Sequence, residues 1–169
     1  MPKILGIDIG SLTIKTATYD PSNEEVEELV VVNHERQPVQ KAFNLIERLL
    51  ADQVISDIAF TGDLGERLAK ALNTYYINPH LASSEANIRF FPHLRTILNI
   101  GASSSNLILI KEDDEGNPKL EDIILPPHCS AGTGSSLDQS ASRFGYSTKE
   151  FGKLAYHGAE MINGERRNS

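Results

Sequence analysis

Apolar and polar residues change their rhythm along this chain, and each change marks an element. Ile4-Leu5-Gly6-Ile7-Asp8-Ile9-Gly10 is a short apolar run, rich in β-branched residues and punctuated by glycine, which predicts a buried strand entering a tight turn. Thr13 to Tyr19 alternates and continues as its partner strand. Asp20-Pro21-Ser22-Asn23 is dense in turn formers, and Glu28 to Val32 follows as a third strand, so the chain opens on a three-strand meander. From Pro38, suited to the first helical position, the period becomes helical, with apolar residues at Val39, Ala42, Phe43, Ile46, Leu49 and Leu50 on one expected face. Ile58-Ala59-Phe60 is a fourth strand ended by Thr61-Gly62, and Leu64, Leu68 and Leu72 mark the next helix. Tyr75-Tyr76-Ile77 is a short fifth strand, Asn78-Pro79 starts a turn, and Leu81 to Phe91 is helical.

The order βββαβαβα thus fills residues 1–92, and after it the pattern begins again. Thr96-Ile97-Leu98-Asn99-Ile100-Gly101 repeats the first strand, Leu107 to Ile110 repeats its hairpin partner, and Leu120 to Leu125 is a third strand. Asp8-Ile9-Gly10-Ser11 aligns with Asn99-Ile100-Gly101-Ala102. The pattern predicts a duplicated α/β unit with a mixed sheet, in which two phosphate-sized turns face each other. Between them the acidic run Glu112 to Pro118 is a solvated hairpin connection. Leu137, Ala141 and Phe144 define a further helix, and Ser147-Thr148-Lys149-Glu150 is a capping box for another. The second half, residues 93–169, is expected to be an incomplete copy of the first.

Composition narrows the function. With 40% hydrophobic and 23% charged residues the 169-residue chain has the material for a core. A net charge of −7 disfavours a nucleic-acid backbone as partner. No apolar run reaches the roughly 18 residues a membrane helix needs, and Met1-Pro2-Lys3 leads into a strand rather than a signal-peptide core, so the expected location is the cytoplasm. The single cysteine, Cys129, excludes an internal disulfide and a zinc site of several thiolates.

Two segments carry candidate chemistry. In Asp8-Ile9-Gly10-Ser11-Leu12-Thr13 a carboxylate ends a strand and is followed by glycine and hydroxyls. Gly10 permits close approach of a phosphate, Ser11 and Thr13 can donate to it, Lys15 adds positive charge, and Asp8 can hold a hydrated Mg²⁺. The same residues also suit an ordinary hairpin whose Asp caps its own turn. Ahead of the predicted helix at Leu137, Cys129-Ser130-Ala131-Gly132-Thr133-Gly134-Ser135 lets backbone N–H groups and the positive helix end converge on an anion. It is neither a dinucleotide fingerprint nor a P-loop. The dipole of that helix favours a thiolate at Cys129, the form that ligates metal, although a lone cysteine is more often buried and inert.

Gly6 to Lys15, the repeat at Thr96 to Asn106, and Cys129 to Gln139 together resemble the BadF/BadG/BcrA/BcrD-type ATPases, over residues 1 to about 156. These include the activators of 2-hydroxyacyl-CoA dehydratases and the ATP-driven subunits of benzoyl-CoA reductase. The resemblance implies an actin-like, ribonuclease H-like ATPase fold holding ATP and Mg²⁺ between two halves. It also implies a homodimer sharing one [4Fe–4S] cluster and passing a low-potential electron to a CoA-ester dehydratase or reductase. Carried over by position, Asp8 is the candidate catalytic group; Gly10, Ser11, Thr13 and Lys15 serve the first phosphate turn, Gly101 and Ser103 the second; Gly132, Thr133 and Gly134 lie near the nucleotide; Cys129 is a cluster ligand.

Two departures from the family are visible. Its second turn reads D-I-G-G-Q-D-x-K, whereas this chain has Asn99-Ile100-Gly101-Ala102-Ser103-Ser104-Ser105-Asn106, without either acid, the glutamine or the lysine. An amide at 99 can neither act as a base nor bring charge to Mg²⁺. One cysteine per subunit also gives two per dimer, where an all-thiolate cluster takes four. Three functions are therefore carried forward: an ATP-hydrolysing activator, a sugar or pantothenate kinase of the same fold, and a nucleotide-sensing module without turnover.

Overall fold

In the computed structural model, residues 2–126 and 133–167 are described, with side chains as far as Ile162. The candidates Cys129 and Gly132 lie outside the described residues. Two compact units form, Met1–Leu98 with Leu107–Ile124, and Asn99–Asn106 with Leu125–Ser169.

The first unit is built on a five-stranded mixed sheet. Its strands are β1 (Lys3–Ile9), β2 (Thr13–Asp20), β3 (Glu25–Asn33), β4 (Ile55–Gly62) and β5 (Tyr75–Tyr76), in the order β3-β2-β1-β4-β5. The meander β1-β2-β3 is antiparallel, and β4 and β5 add in parallel after helical crossovers, α1 (Pro38–Asp52) and α2 (Gly65–Ala71). Alternation sends Leu5, Ile7 and Ile9 of β1 and Ile14 of β2 to one face, where they meet Phe60 and the buried face of α1 in a single core. Pro38 opens α1 as expected.

The buried face of α1 differs from the expected one. Ala42, Leu45, Ile46 and Leu49 are buried, whereas Val39, Phe43 and Leu50 stay exposed. The apolar stripe is wider than the sheet can cover, so β1 and β2 take one edge of it. Phe43 and Leu50 instead line a groove of about 880 Å³ with Ser56, Ile58, Leu72 and Tyr75. Helix α3 (Pro79–Phe90) starts where a turn was expected, because the Asn78 side chain caps it by accepting from the N–H groups of His80 and Leu81. Its far end is tied to the sheet by Arg89, which donates to the Tyr19 hydroxyl at 2.8 Å and pairs with Glu24 at 3.2 Å.

A second sheet has the order β6-β7-β8, from β6 (Thr96–Ile100), β7 (Ser105–Glu112) and β8 (Pro118–Ile124). It repeats the opening meander, but among the described residues nothing pairs with the outer edge of β6, where Leu98 and Ile100 are exposed. Asp113 closes the acidic β7–β8 connection by accepting from the N–H groups of Asn117 and Glu115, bonds that hold its carboxyl below its usual range.

In the second unit, α4 (Gly134–Arg143) ends on Gly145, whose left-handed φ of 76° lets Tyr146 N–H reach back to the Ala141 carbonyl. Helix α5 (Thr148–Arg167) begins on the expected capping box: Ser147 N–H and Oγ donate to Glu150 Oε2 at 2.9 and 2.6 Å, and Glu150 N–H returns to Ser147 Oγ. Phe144 and Phe151 stack across this junction. No described helix is long and apolar enough to cross a membrane.

Candidate functional site

Each hairpin that opens a meander is closed by the same bond. Gly10 N–H donates to the Thr13 carbonyl at 3.0 Å, and Gly101 N–H donates to the Ser104 carbonyl at 2.7 Å. Two residues before and two residues after that bonded pair the chemistry diverges. In the first, Lys15 Nζ stands 2.8 Å from Asp8 Oδ2, an ion pair with both groups partly exposed. At the corresponding positions of the second, Asn99 Nδ2 donates to Asn106 Oδ1 at 3.0 Å. One hairpin presents a carboxylate and an ammonium, the other two amides.

Asp8, Gly10 and Lys15 come together at the carboxyl ends of the parallel strands β1 and β4, the edge at which open α/β sheets bind ligands. Ser11 is exposed at the tip of the turn and Thr13 is half-buried at its foot. The segment after β3 braces this turn. His34 N–H donates to the Leu12 carbonyl at 3.1 Å, and Glu35 and Arg36 follow with left-handed φ values of 51° and 64°. Strained backbone of this kind is retained where the surroundings fix it, often beside a binding site.

The partner of β1 contributes residues that the sequence pattern left unassigned. Thr61 is the register neighbour of Asp8, and Gly62 that of Ile9. At Gly62 (φ +85°) an added Cβ would lie 2.5 Å from Asp8 Oδ1 and 2.5 Å from the Ile9 carbonyl oxygen, so the Asp8 carboxylate leans into space that a side chain would fill. Thr61-Gly62 reads in the sequence only as a strand terminator. The parallel pairing of β1 with β4 gives it significance, and that pairing joins residues some fifty positions apart.

In the second unit, Gly101 and Gly134 meet. Gly134 N–H donates to the Gly101 carbonyl at 2.8 Å and Ser135 N–H to the Ala102 carbonyl at 3.1 Å, so two amides at the start of α4 are engaged by the second turn. A Cβ at Gly134 would come within 3.2 Å of the Gly101 carbonyl oxygen, which makes this a close backbone contact. Thr133, the N-cap residue of α4, is fully buried, and Ser103 is exposed.

The donor set of the first turn suits one of the expected groups. Mg²⁺ is held in nucleotide sites by one or two carboxylates together with the phosphates themselves, so a lone Asp8 suits a cation delivered with its nucleotide. Among the described residues no cluster of three or more His, Cys, Asp or Glu could hold a resident metal. Cys129, the candidate ligand of the expected iron–sulfur cluster, lies outside the described residues.

The sequence matches no protein-family model and no curated protein. Solved structures supply the relationship. Component A of the (R)-2-hydroxyglutaryl-CoA dehydratase of Acidaminococcus fermentans aligns at a TM-score of 0.75 and 17% identity, over 91% of this chain and 58% of that one. The activator of the 2-hydroxyisocaproyl-CoA dehydratase of Clostridium difficile, solved with bound ADPNP, aligns at 0.66 and 20% identity, over 99% and 67%. The ethanolamine utilization protein EutJ of Carboxydothermus hydrogenoformans aligns at 0.54 and 14%, over 89% and 60%. The chain therefore has the actin-like ATPase fold, and it spans 58% and 67% of the lengths of the two dehydratase proteins.

Proposed function

We propose that this chain is a nucleotide-binding unit of an ATP-dependent activator that acts on a CoA-ester dehydratase or reductase. The observation that carries the proposal is the Gly10 turn at the carboxyl end of β1, with Asp8 and Lys15 paired beside it, in a fold similar to that of an activator with bound ADPNP. Gly10 and the hydroxyls of Ser11 and Thr13 would receive phosphate, Lys15 would neutralise it, and Asp8 would hold the Mg²⁺ that arrives with it. Within the second unit, Gly101, Ser103, Thr133 and Gly134 are proposed to serve phosphate as the second turn and its neighbour, and Gly132 is assigned with them by position. Bound Mg²⁺ supplies charge neutralisation of the phosphates. In the family that the sequence resembles, ATP drives low-potential electron transfer to the partner, and the same coupling is the role proposed for this chain.

A second reading is favoured by the Asn99–Asn106 pair: nucleotide binding without turnover. Two amides bonded to each other place no base and no charge at the second turn. Titration calorimetry with ATP, ADP and a non-hydrolysable analogue, run beside a phosphate-release assay, separates the two. Binding with release supports the activating ATPase, and binding without release the sensor. In either case nucleotide at a hundredfold excess over Kd should raise stability by about 2.7 kcal/mol. Absence of binding in the presence of Mg²⁺ refutes both.

A further inference from the structure

Among the described residues, two buried side-chain atoms have no hydrogen-bond partner: Thr61 Oγ1 and His34 Nδ1. Both stand at the same end of the five-stranded sheet. Thr61 is the penultimate residue of β4, and His34 follows β3, which runs in the same direction as β1 and β4. The Gly10–Thr13 turn lies between these two positions in the strand order. Buried polar groups are nearly always satisfied, so each exception calls for a cause. His34 N–H donates to the Leu12 carbonyl and its own carbonyl accepts from Gln37 N–H, bonds that hold the residue and leave its ring nitrogen unpartnered.

The Thr61 main chain is likewise held, by the β1–β4 pairing, and its hydroxyl alone is without a partner. As the register neighbour of Asp8 on an adjacent parallel strand, Thr61 shares that residue's face of the sheet. It also immediately precedes Gly62, the residue whose missing side chain leaves room for the Asp8 carboxylate. A threonine hydroxyl can donate one hydrogen bond, and a site built to receive phosphate supplies acceptor oxygens. We propose that Thr61 Oγ1 is a ligand-contacting group of the nucleotide site, donating to a phosphate oxygen of the bound nucleotide from the β4 side of Asp8. The assignment rests on the nucleotide-binding reading above.

The test uses the 169-residue chain, ATP with Mg²⁺ and ADP with Mg²⁺ as probes, and two variants, Thr61→Val and Thr61→Ser. Valine keeps the shape and removes the hydroxyl, and serine restores it. Calorimetry should show Thr61→Val binding ATP about tenfold or more weakly, with Thr61→Ser close to the parent. A loss confined to ATP assigns the contact to the terminal phosphate, and a loss shared by ADP assigns it to an inner one. The nucleotide-free melting temperature of Thr61→Val should equal or exceed that of the parent, because an unsatisfied donor has been removed. Unchanged affinity in Thr61→Val overturns the assignment while leaving the nucleotide site standing, and a clear fall in its nucleotide-free melting temperature overturns it by revealing a structural bond. A parent that binds neither nucleotide overturns the nucleotide site and this contact together.

Discussion

Asn99 and Asn106 are joined by a single amide–amide hydrogen bond of 3.0 Å across the hairpin of β6 and β7. The equivalent pair in the first hairpin is charged, Asp8 with Lys15. The duplicated framework has therefore been kept while the electrical character of one copy has been removed. Replacing both amides, Asn99→Asp with Asn106→Lys, should be tolerated, since the half-buried pair of amides would become a pair of opposite charges like that of Asp8 and Lys15. The expected outcome is an unchanged denaturation midpoint and phosphate release above the parent's level, both measured on the same preparation.

Gly62→Ala tests the space beside Asp8. The new methyl would meet two oxygens at 2.5 Å, one of them backbone, at a left-handed φ. Urea unfolding should show a loss of about 2 kcal/mol or more, and the nucleotide affinity should fall with it. An alanine variant as stable as the parent would contradict the close approach.

Asp8→Asn separates binding chemistry from stability. The Asp8–Lys15 pair is partly exposed and screened, so the melting temperature should move little. Titrations with and without Mg²⁺ should differ for the parent and agree for the variant, because an amide is a poor ligand for a hard cation.

The capping box of α5 gives a pH dependence with a definite sign. The two bonds from Ser147 hold the Glu150 carboxyl below its ordinary value, so the folded state favours the ionised form. That contribution is complete above the unfolded pKa, about 4.3, and disappears as pH falls through the lower folded value. Ser147→Ala should lower the melting temperature by about 2–4 °C at neutral pH and flatten the acid limb of the stability curve. A parent and variant with parallel acid limbs would disprove the linkage.

Leu49 and Phe43 lie on the same helix and distinguish its two apolar edges. Leu49 is 1% exposed and Phe43 38%. Leu49→Ala should cost about 2–5 kcal/mol in chemical denaturation, whereas Phe43→Ala should cost well under half as much. Equal losses would show that the groove edge is packed as tightly as the core.

The parts of the fold that depend on neighbours in sequence were legible before any coordinates. The glycine turns, the Ser147–Glu150 cap and the Pro38 start each express a preference confined to a few residues. Two features were not legible, for a common reason. The buried face of α1 could not be chosen from its apolar positions without knowing how wide a sheet they cover. Thr61 acquires its place beside Asp8 only through a parallel pairing that no local pattern encodes. His34 was likewise unmarked in the sequence, since a histidine after a strand carries no sign that its ring will be enclosed. At the site, Asp8, Gly10 and Lys15 do converge within the first unit, and Gly101 meets Gly134 within the second.

The unpaired margin of β6 governs how the protein will behave in the tube. In the opening sheet the strand of the same rank, β1, is flanked on both sides, while among the described residues no strand lies against the outer edge of β6, which carries the exposed Leu98 and Ile100. Such a border templates the addition of further chains, so concentrated stocks should precipitate with a rise in thioflavin fluorescence. A lysine introduced at Leu98 should prolong their shelf life.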